Sequence, residues 1–171
     1  IVLPYAELKI DLIDELDTKI IELASENHDG YVLLVSPNNF LEEKIEINKL
    51  PKLGVVGKIT KKTTLPNGCI RVTIEGKRRA VINNYVSYEG YDDVFAGVIS
   101  SPTRYAMDLS DEEALVRKLK TELEKYINLV PYSSNSILAV IDEIKTVSKL
   151  ADVVANYMPT SFERKYEILN T

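Results

Sequence analysis

The 171 residues carry 21 basic and 26 acidic side chains, a net charge of −5 and a sequence pI near 5.1, and neither half is basic: twelve basic against fifteen acidic residues up to Ser100, nine against eleven beyond it. That balance offers no electrostatic footprint for a nucleic-acid backbone and argues against nucleic acid as a partner. One cysteine (Cys69) excludes an internal disulfide and one histidine (His28) excludes the usual zinc ligand sets, while 45% hydrophobic and 27% charged residues, with no apolar run long enough for a membrane span, point to a soluble globular chain of the cytoplasm.

Leu8, Ile10 and Leu12 alternate with Lys9 and Asp11, the pattern of a half-buried strand. The period turns helical over Thr18–Asn27, where Ile20, Leu23 and Ala24 share a face, and Asp29-Gly30 ends it. Asp14, Glu15 and Asp17 stand at the entry to that helix, where carboxylates favour its dipole, so their clustering reads as structural. Tyr31–Val35 is a short apolar run suited to a buried strand; Pro37-Asn38-Asn39 breaks it, and residues 40–53 read as a polar loop. Gly54–Ile82 then holds two strands joined at Leu65-Pro66-Asn67-Gly68, with a third strand starting beyond Gly76. Pro66 pre-sets φ for a turn, and Asn67-Gly68 tolerates the positive φ of a tight hairpin. Ile59 and Leu65 share a face with Ile70, Val72 and Ile74, while Lys58 and Lys62 share the other with Arg71 and Glu75, which fixes the register. Further strands are expected at Arg79–Tyr88 and Val94–Ile99, separated by Glu89-Gly90 and Asp92-Asp93, and Ser101-Pro102 closes the β-rich part.

From Leu109 the period stays helical. Ser110-Asp111-Glu112-Glu113 reads as a capping box in which Glu113 reaches back to the cap. Leu115, Leu119, Leu123 and Ile127, reinforced by Val116 and Tyr126, form one stripe of a helix of about five turns, stopped by Pro131. Shorter helices follow at Ser134–Ile144 and Ser148–Met158, the latter with Leu150, Val153, Val154 and Tyr157 on one face. After Pro159, Thr160-Ser161-Phe162-Glu163 caps a last helix. Single helices of this size are marginal in water, so the four are expected to bury their stripes together. The fold class expected is α+β: a β-rich subdomain over 1–103 and a helical bundle over 104–171.

Val56-Gly57-Lys58-Ile59, Leu65-Pro66-Asn67-Gly68, Val72, Glu75-Gly76 and Arg79-Ala80 together resemble the signature of the N-terminal domain of Lon, the ATP-dependent protease. Leu150–Thr171, LADVVANYMPTSFERKYEILNT, is similar to a second run of that family, so the resemblance spans nearly the whole chain. It implies a PUA-like β-barrel followed by helices, the order that periodicity gives independently. It also implies a non-catalytic domain that recognises misfolded, tagged or regulatory protein clients and helps organise a homo-hexamer. By resemblance the ATPase domain, with its ATP and Mg, and the Ser-Lys peptidase lie C-terminal to this region, so the chain is expected to be an excised N-terminal fragment with no cofactor of its own. The start departs from the family pattern: the space before Thr18 is too short for two strands, and matching Pro4 to the second places Tyr5 where the family has glycine. The first strand of the barrel is then missing or supplied elsewhere.

No catalytic or metal constellation emerges from the remaining residues. His28, beside Asp29 and a turn glycine, reads as a solvated turn residue. Gly54-Val55-Val56-Gly57-Lys58 fails as a phosphate-binding loop, because two residues separate the glycines and Ile59 stands where Ser or Thr is required. Lys145 and Ser148 could be offered as a Ser-Lys pair, but Ser148 is better read as a helix N-cap. Lys77-Arg78-Arg79 reads as a solvated sheet face balanced by Glu75. The concentration Tyr85, Tyr88, Tyr91 and Phe95 carries more: tyrosines supply stiff amphipathic area for gripping varied apolar segments, so Tyr85, Tyr88 and Tyr91 are the client-contact candidates, with Phe95 assigned to the core. A stand-alone adaptor without ATPase or peptidase is the alternative. An acid–base enzyme, the third reading, requires a closed pocket containing carboxylates of shifted pKa.

Overall fold

The computed structural model describes residues 1–36, 46–103, 107–129, 136–159 and 161–170. They fall into two compact units, Ile1–Pro102 with Ser161–Thr171, and Thr103–Thr160. In the first, β1 (Glu7–Leu12), β2 (Tyr31–Leu34), β3 (Leu53–Thr64), β4 (Ile70–Tyr88) and β5 (Tyr91–Ser100) form one antiparallel sheet, and α1 (Glu15–Asn27) connects β1 to β2. The second holds α2 (Leu109–Leu129), α3 (Ser136–Asp142) and α4 (Val147–Tyr157). The last helix, α5 (Phe162–Leu169), belongs to the first unit. The expected breaks at Pro37-Asn38-Asn39 and Pro131 lie outside the described residues.

β4 is the spine of the sheet. β3 runs along one edge, with β2 outside it; the other edge takes β1 opposite Ile70–Glu75 and β5 opposite Val81–Tyr88. The strand expected to begin anew beyond Gly76 is therefore a continuation of the one before it. Gly76 lets the strand run through: its N–H donates to the Ala6 carbonyl (2.9 Å) and its carbonyl accepts from Tyr5 N–H (2.7 Å). Gly57 of the same signature lies directly across the ladder from it. In the Leu3–Ala6 turn Tyr5 has a φ of 64°, the left-handed region that favours glycine. This is the position where matching Pro4 to the family pattern calls for glycine.

The hairpin register holds near its base, with Ile59 opposite Ile74 and Lys58 opposite Glu75. A bulge after Ile59 shifts the parity, so Lys62 faces Val72, and Thr63 instead faces Arg71. Arg71 makes a two-pronged ion pair with Asp11 across β1–β4 (2.5 and 2.7 Å), and its hydrogen bonding holds the Asp11 carboxyl below the usual range. The core beneath the sheet is Leu12, Ile21, Val72 and Ile74, with Ile10, Val32, Leu34, Ile59 and Ile70 around it. Burying an aliphatic side chain of this kind contributes about 1.5–3 kcal/mol. α1 starts three residues earlier than expected, with Asp14 at its N-cap position and Glu15 and Asp17 in its first turn, where their charge suits the dipole. It buries Ile21 with Leu23 and Ala24, leaving Ile20 exposed.

In the helical unit Val116, Ile127, Ile141, Ile144, Leu150 and Val153 form the buried cluster, flanked by Leu119, Leu123 and Val154. Tyr126 and Tyr157, placed on the apolar stripes by periodicity, are instead more than half exposed. A phenol at a stripe's margin keeps its hydroxyl in water. Ser110 lies inside the first turn of α2, so the expected capping box does not form there. Its acidic run serves a neighbour: the Glu112 carboxylate accepts from the Val147 N–H (3.0 Å), satisfying an orphan donor at the start of α4. Thr146, not Ser148, occupies the N-cap position of α4, and both Ser148 and Lys145 are exposed. Lys120 donates to the Asp142 carbonyl (2.7 Å) and fastens α2 to the end of α3.

α5 is capped at its start by Ser161, whose hydroxyl accepts from Arg164 N–H (3.3 Å). Its far end is held by Arg79 of β4, which donates to the Leu169 and Ile168 carbonyls (both 3.0 Å), and Leu169 is buried. A guanidinium fork across the last carbonyls of a helix satisfies orphan acceptors and complements the dipole. This is why the helix joins the sheet, where periodicity grouped it with the other three. The basic run is otherwise spent locally: Lys77 pairs with Glu75 (2.6 Å) and Arg78 reaches toward the Ser101 hydroxyl (3.5 Å).

Candidate functional site

β4 and β5 are joined by the two residues Glu89-Gly90, with Tyr88 opposite Tyr91 across the ladder and Gly90 at a φ of 83°. The tight turn brings the two rings to 6.2 Å between centroids, tilted by 46°. The end of α1 fixes the first of them. The Tyr88 hydroxyl accepts from Asn27 Nδ2 (3.2 Å) and lies 3.1 Å from His28 Nε2, and the His28 ring stands edge-on to Tyr88 at 5.7 Å. His28 thus closes α1 as a turn residue and also orients a tyrosine. Lys19 stands 5.2 Å from the Tyr91 ring centroid, and the Tyr91 hydroxyl beside it holds its ammonium above the usual range. Both tyrosines are half-buried.

Tyr85 belongs to a different neighbourhood. Its hydroxyl donates to the Pro51 carbonyl (2.7 Å), pinning the segment after the short 3-10 turn Ile47–Lys49. Burial, and then the nearby Tyr166 of α5, push its phenol above the ordinary value. The structure brings together two of the three tyrosines singled out from sequence and ties the third to the interior of the unit.

Phe95, expected in the core, is 41% exposed on β5. Opposite it lies Ser87, while Val98 and Val86, at 49% and 40%, are exposed on the other face of the same two strands. Sequence could not decide this face, because Val94, Ala96 and Val98 alternate with Phe95, Gly97 and Ile99 and both sets are apolar. Asp92 and Asp93 lie within β5, which begins at Tyr91, so they do not separate it from β4 as expected.

Two open hollows lie elsewhere on this unit. One, of about 450 Å³, sits between the start of α1 and the hairpin tip and includes Asp14, Lys19, Asn67 and Cys69. The other, of about 460 Å³, is lined by Ile47, Leu50, Lys52, Asn83, Asn84 and Tyr85 and has no carboxylate in its wall. Neither is the closed, carboxylate-bearing cavity that acid–base catalysis requires. Among the described residues no three His, Cys, Asp or Glu side chains gather as a metal site, and no helix is long and apolar enough to cross a membrane.

The sequence model of the ATP-dependent protease La (LON) substrate-binding domain matches residues 1–171. Lon protease of Brevibacillus choshinensis is 32% identical over all 171 residues, and Lon protease 1 of Bacillus subtilis (strain 168) is 29% identical over the same length. The chain covers 21% and 22% of these two relatives, about a fifth of their length. Among solved structures, the N-terminal domain of Mycobacterium avium complex Lon protease superposes with a TM-score of 0.73 at 24% identity, over all of this chain and 84% of that one. A Lon N-terminal domain protein from Xanthomonas campestris gives 0.66 at 13% identity, covering all of this chain and 85% of that one. At these identities the structural likeness speaks for the fold.

Proposed function

The chain belongs to the substrate-binding domain family of the ATP-dependent protease La (Lon), and from this premise we propose that it captures unfolded or tagged polypeptides for a longer ATP-dependent serine protease of which it is the N-terminal part. It binds and does no chemistry; ATP, Mg and the peptidase serine act in other domains of the parent. The observation that carries the client reading is the Tyr88–Tyr91 pair, held by Asn27, His28 and Lys19 and left partly exposed. Tyrosines held this way lose little entropy on contact and accept apolar and polar surface alike. Tyr85 contributes by keeping Pro51 and its own strand in place. In a cytoplasmic homo-hexamer, with each copy joined to its ATPase domain, six such weak contacts act on one client through effective concentration.

Replacing Tyr88 and Tyr91 together with serine is expected to weaken retention of a reduced, carboxymethylated protein by about tenfold while the sheet unit stays folded. Tyr85→Ser is expected to lower stability instead, by about 1 kcal/mol through the lost Pro51 hydrogen bond, with binding by the folded fraction unchanged. Equal binding by the double variant and the unaltered chain would remove the tyrosine pair from the site.

A further inference from the structure

Among the described residues β5 is an outer strand of the sheet, paired on one side with β4. Among the described residues its backbone hydrogen bonds all go to β4, so the outward N–H and C=O groups of a ten-residue strand have no protein partner. The other outer strands are protected. β1 has six residues and alternates Glu7, Lys9 and Asp11 along its length, and β2 has four. Natural sheets blunt long edges with charge, proline, bulges or brevity; β5 has charge and a register irregularity at Asp92–Val94, while Phe95–Ser100 carries no charge and no proline. From Val94 to Ile99 its side chains are apolar on both faces, Phe95 exposed on one and Val98 on the other beside Val86. Asp92 and Asp93, both exposed, put negative charge at the Tyr91 end with no basic residue elsewhere in the strand.

We infer that this edge is where the polypeptide lies: the client adds to β5 as a further strand, held through its backbone, with one end against Tyr88 and Tyr91. The inference rests on the client reading above and specifies its chemistry. A strand flanked by apolar side chains on both faces selects a segment that is itself apolar on both faces. Such segments form the interior strands of folded proteins and are displayed only when those proteins unfold. Asp92 and Asp93 add a preference for a lysine or arginine at the end that meets them. Recognition by backbone requires no fixed sequence, so one edge serves many clients.

The test uses an octapeptide of valine, isoleucine and threonine ending in lysine, and two forms N-methylated at alternate residues, one for each set of amides. An added strand turns only one set toward β5. One methylated form is therefore expected to bind about tenfold more weakly than the parent peptide, while the other binds as well as it does. Amide exchange in β5 should slow when the peptide is present. Val98→Lys, a change at a half-exposed position, should weaken the peptide about tenfold without moving the urea midpoint. Equal binding of all three peptides would overturn the backbone mode and leave the client reading standing, as contact through side chains alone. Binding of none would overturn both. Slow exchange in β5 before any peptide is added, in this chain through a second copy or in a longer parent through one of its own segments, would show the edge already taken and would also overturn the inference.

Discussion

Gly76→Val is expected to cost the sheet unit about 3 kcal/mol, seen as a lowered urea midpoint. A Cβ at this position would sit 2.6 Å from the Leu3 carbonyl oxygen and 3.3 Å from Val55 Cγ1. The first is a backbone atom of a turn with no freedom to retreat. Leu3 is fully buried, and Tyr5 and Ala6 of the same turn bond both backbone groups of Gly76. Relief would require surrendering those bonds or tilting β1 away from β4. Gly68→Ala is the control: nothing lies within 4 Å of a Cβ there, and only its φ of 85° opposes the change. It should cost about 1 kcal/mol. Equal losses at the two sites would mean that the glycine of the Glu75-Gly76 signature does not serve close approach of the chain.

Arg79→Ala should cost about 2 kcal/mol, concentrated in α5. Removing the guanidinium leaves the Ile168 and Leu169 carbonyls without the charged donor that holds them, beside a buried Leu169. Fast amide exchange is expected across Phe162–Leu169, while Ile70–Ile74 stay protected. Arg79→Lys should restore only part of the loss, since a single ammonium does not reproduce the fork that meets two carbonyls at once. Unchanged exchange in α5 would contradict the assignment of this helix to the sheet unit. Both predictions give the signature residues the same meaning. Gly57, Gly76 and Arg79 are where strands, turn and last helix are joined.

What sequence disclosed follows from the range of the forces involved. The hairpin at Leu65–Gly68 was legible because it is local: Gly68 has the positive φ its position demands, and the Asn67 side chain accepts from Cys69 N–H (3.1 Å). The helices were legible from their period, and the order of sheet then helices from the change in period near Leu109. The destination of α5 was not, because it rests on an arginine about ninety residues away in the chain. The acidic run at Ser110–Glu113 reads as a local cap through Glu113, whereas its neighbour Glu112 accepts from Val147 N–H at the start of another helix. Of the three tyrosines, Tyr88 and Tyr91 meet because Glu89-Gly90 folds them together. Tyr85 differs through Pro51, a residue in what read as a loop. Phe95 went astray for a simpler reason: with apolar residues on both faces, alternation carries no sign of which side is wet.

The most direct measurement is amide hydrogen exchange on the chain with and without a permanently unfolded protein such as a reduced, carboxymethylated one. Slower exchange along β5 and around the Tyr88–Tyr91 turn, with 107–159 unaltered, is the outcome expected of a client held at the sheet's open edge. Slowing confined to the helices, or none anywhere at saturating client, would place recognition elsewhere and contradict it.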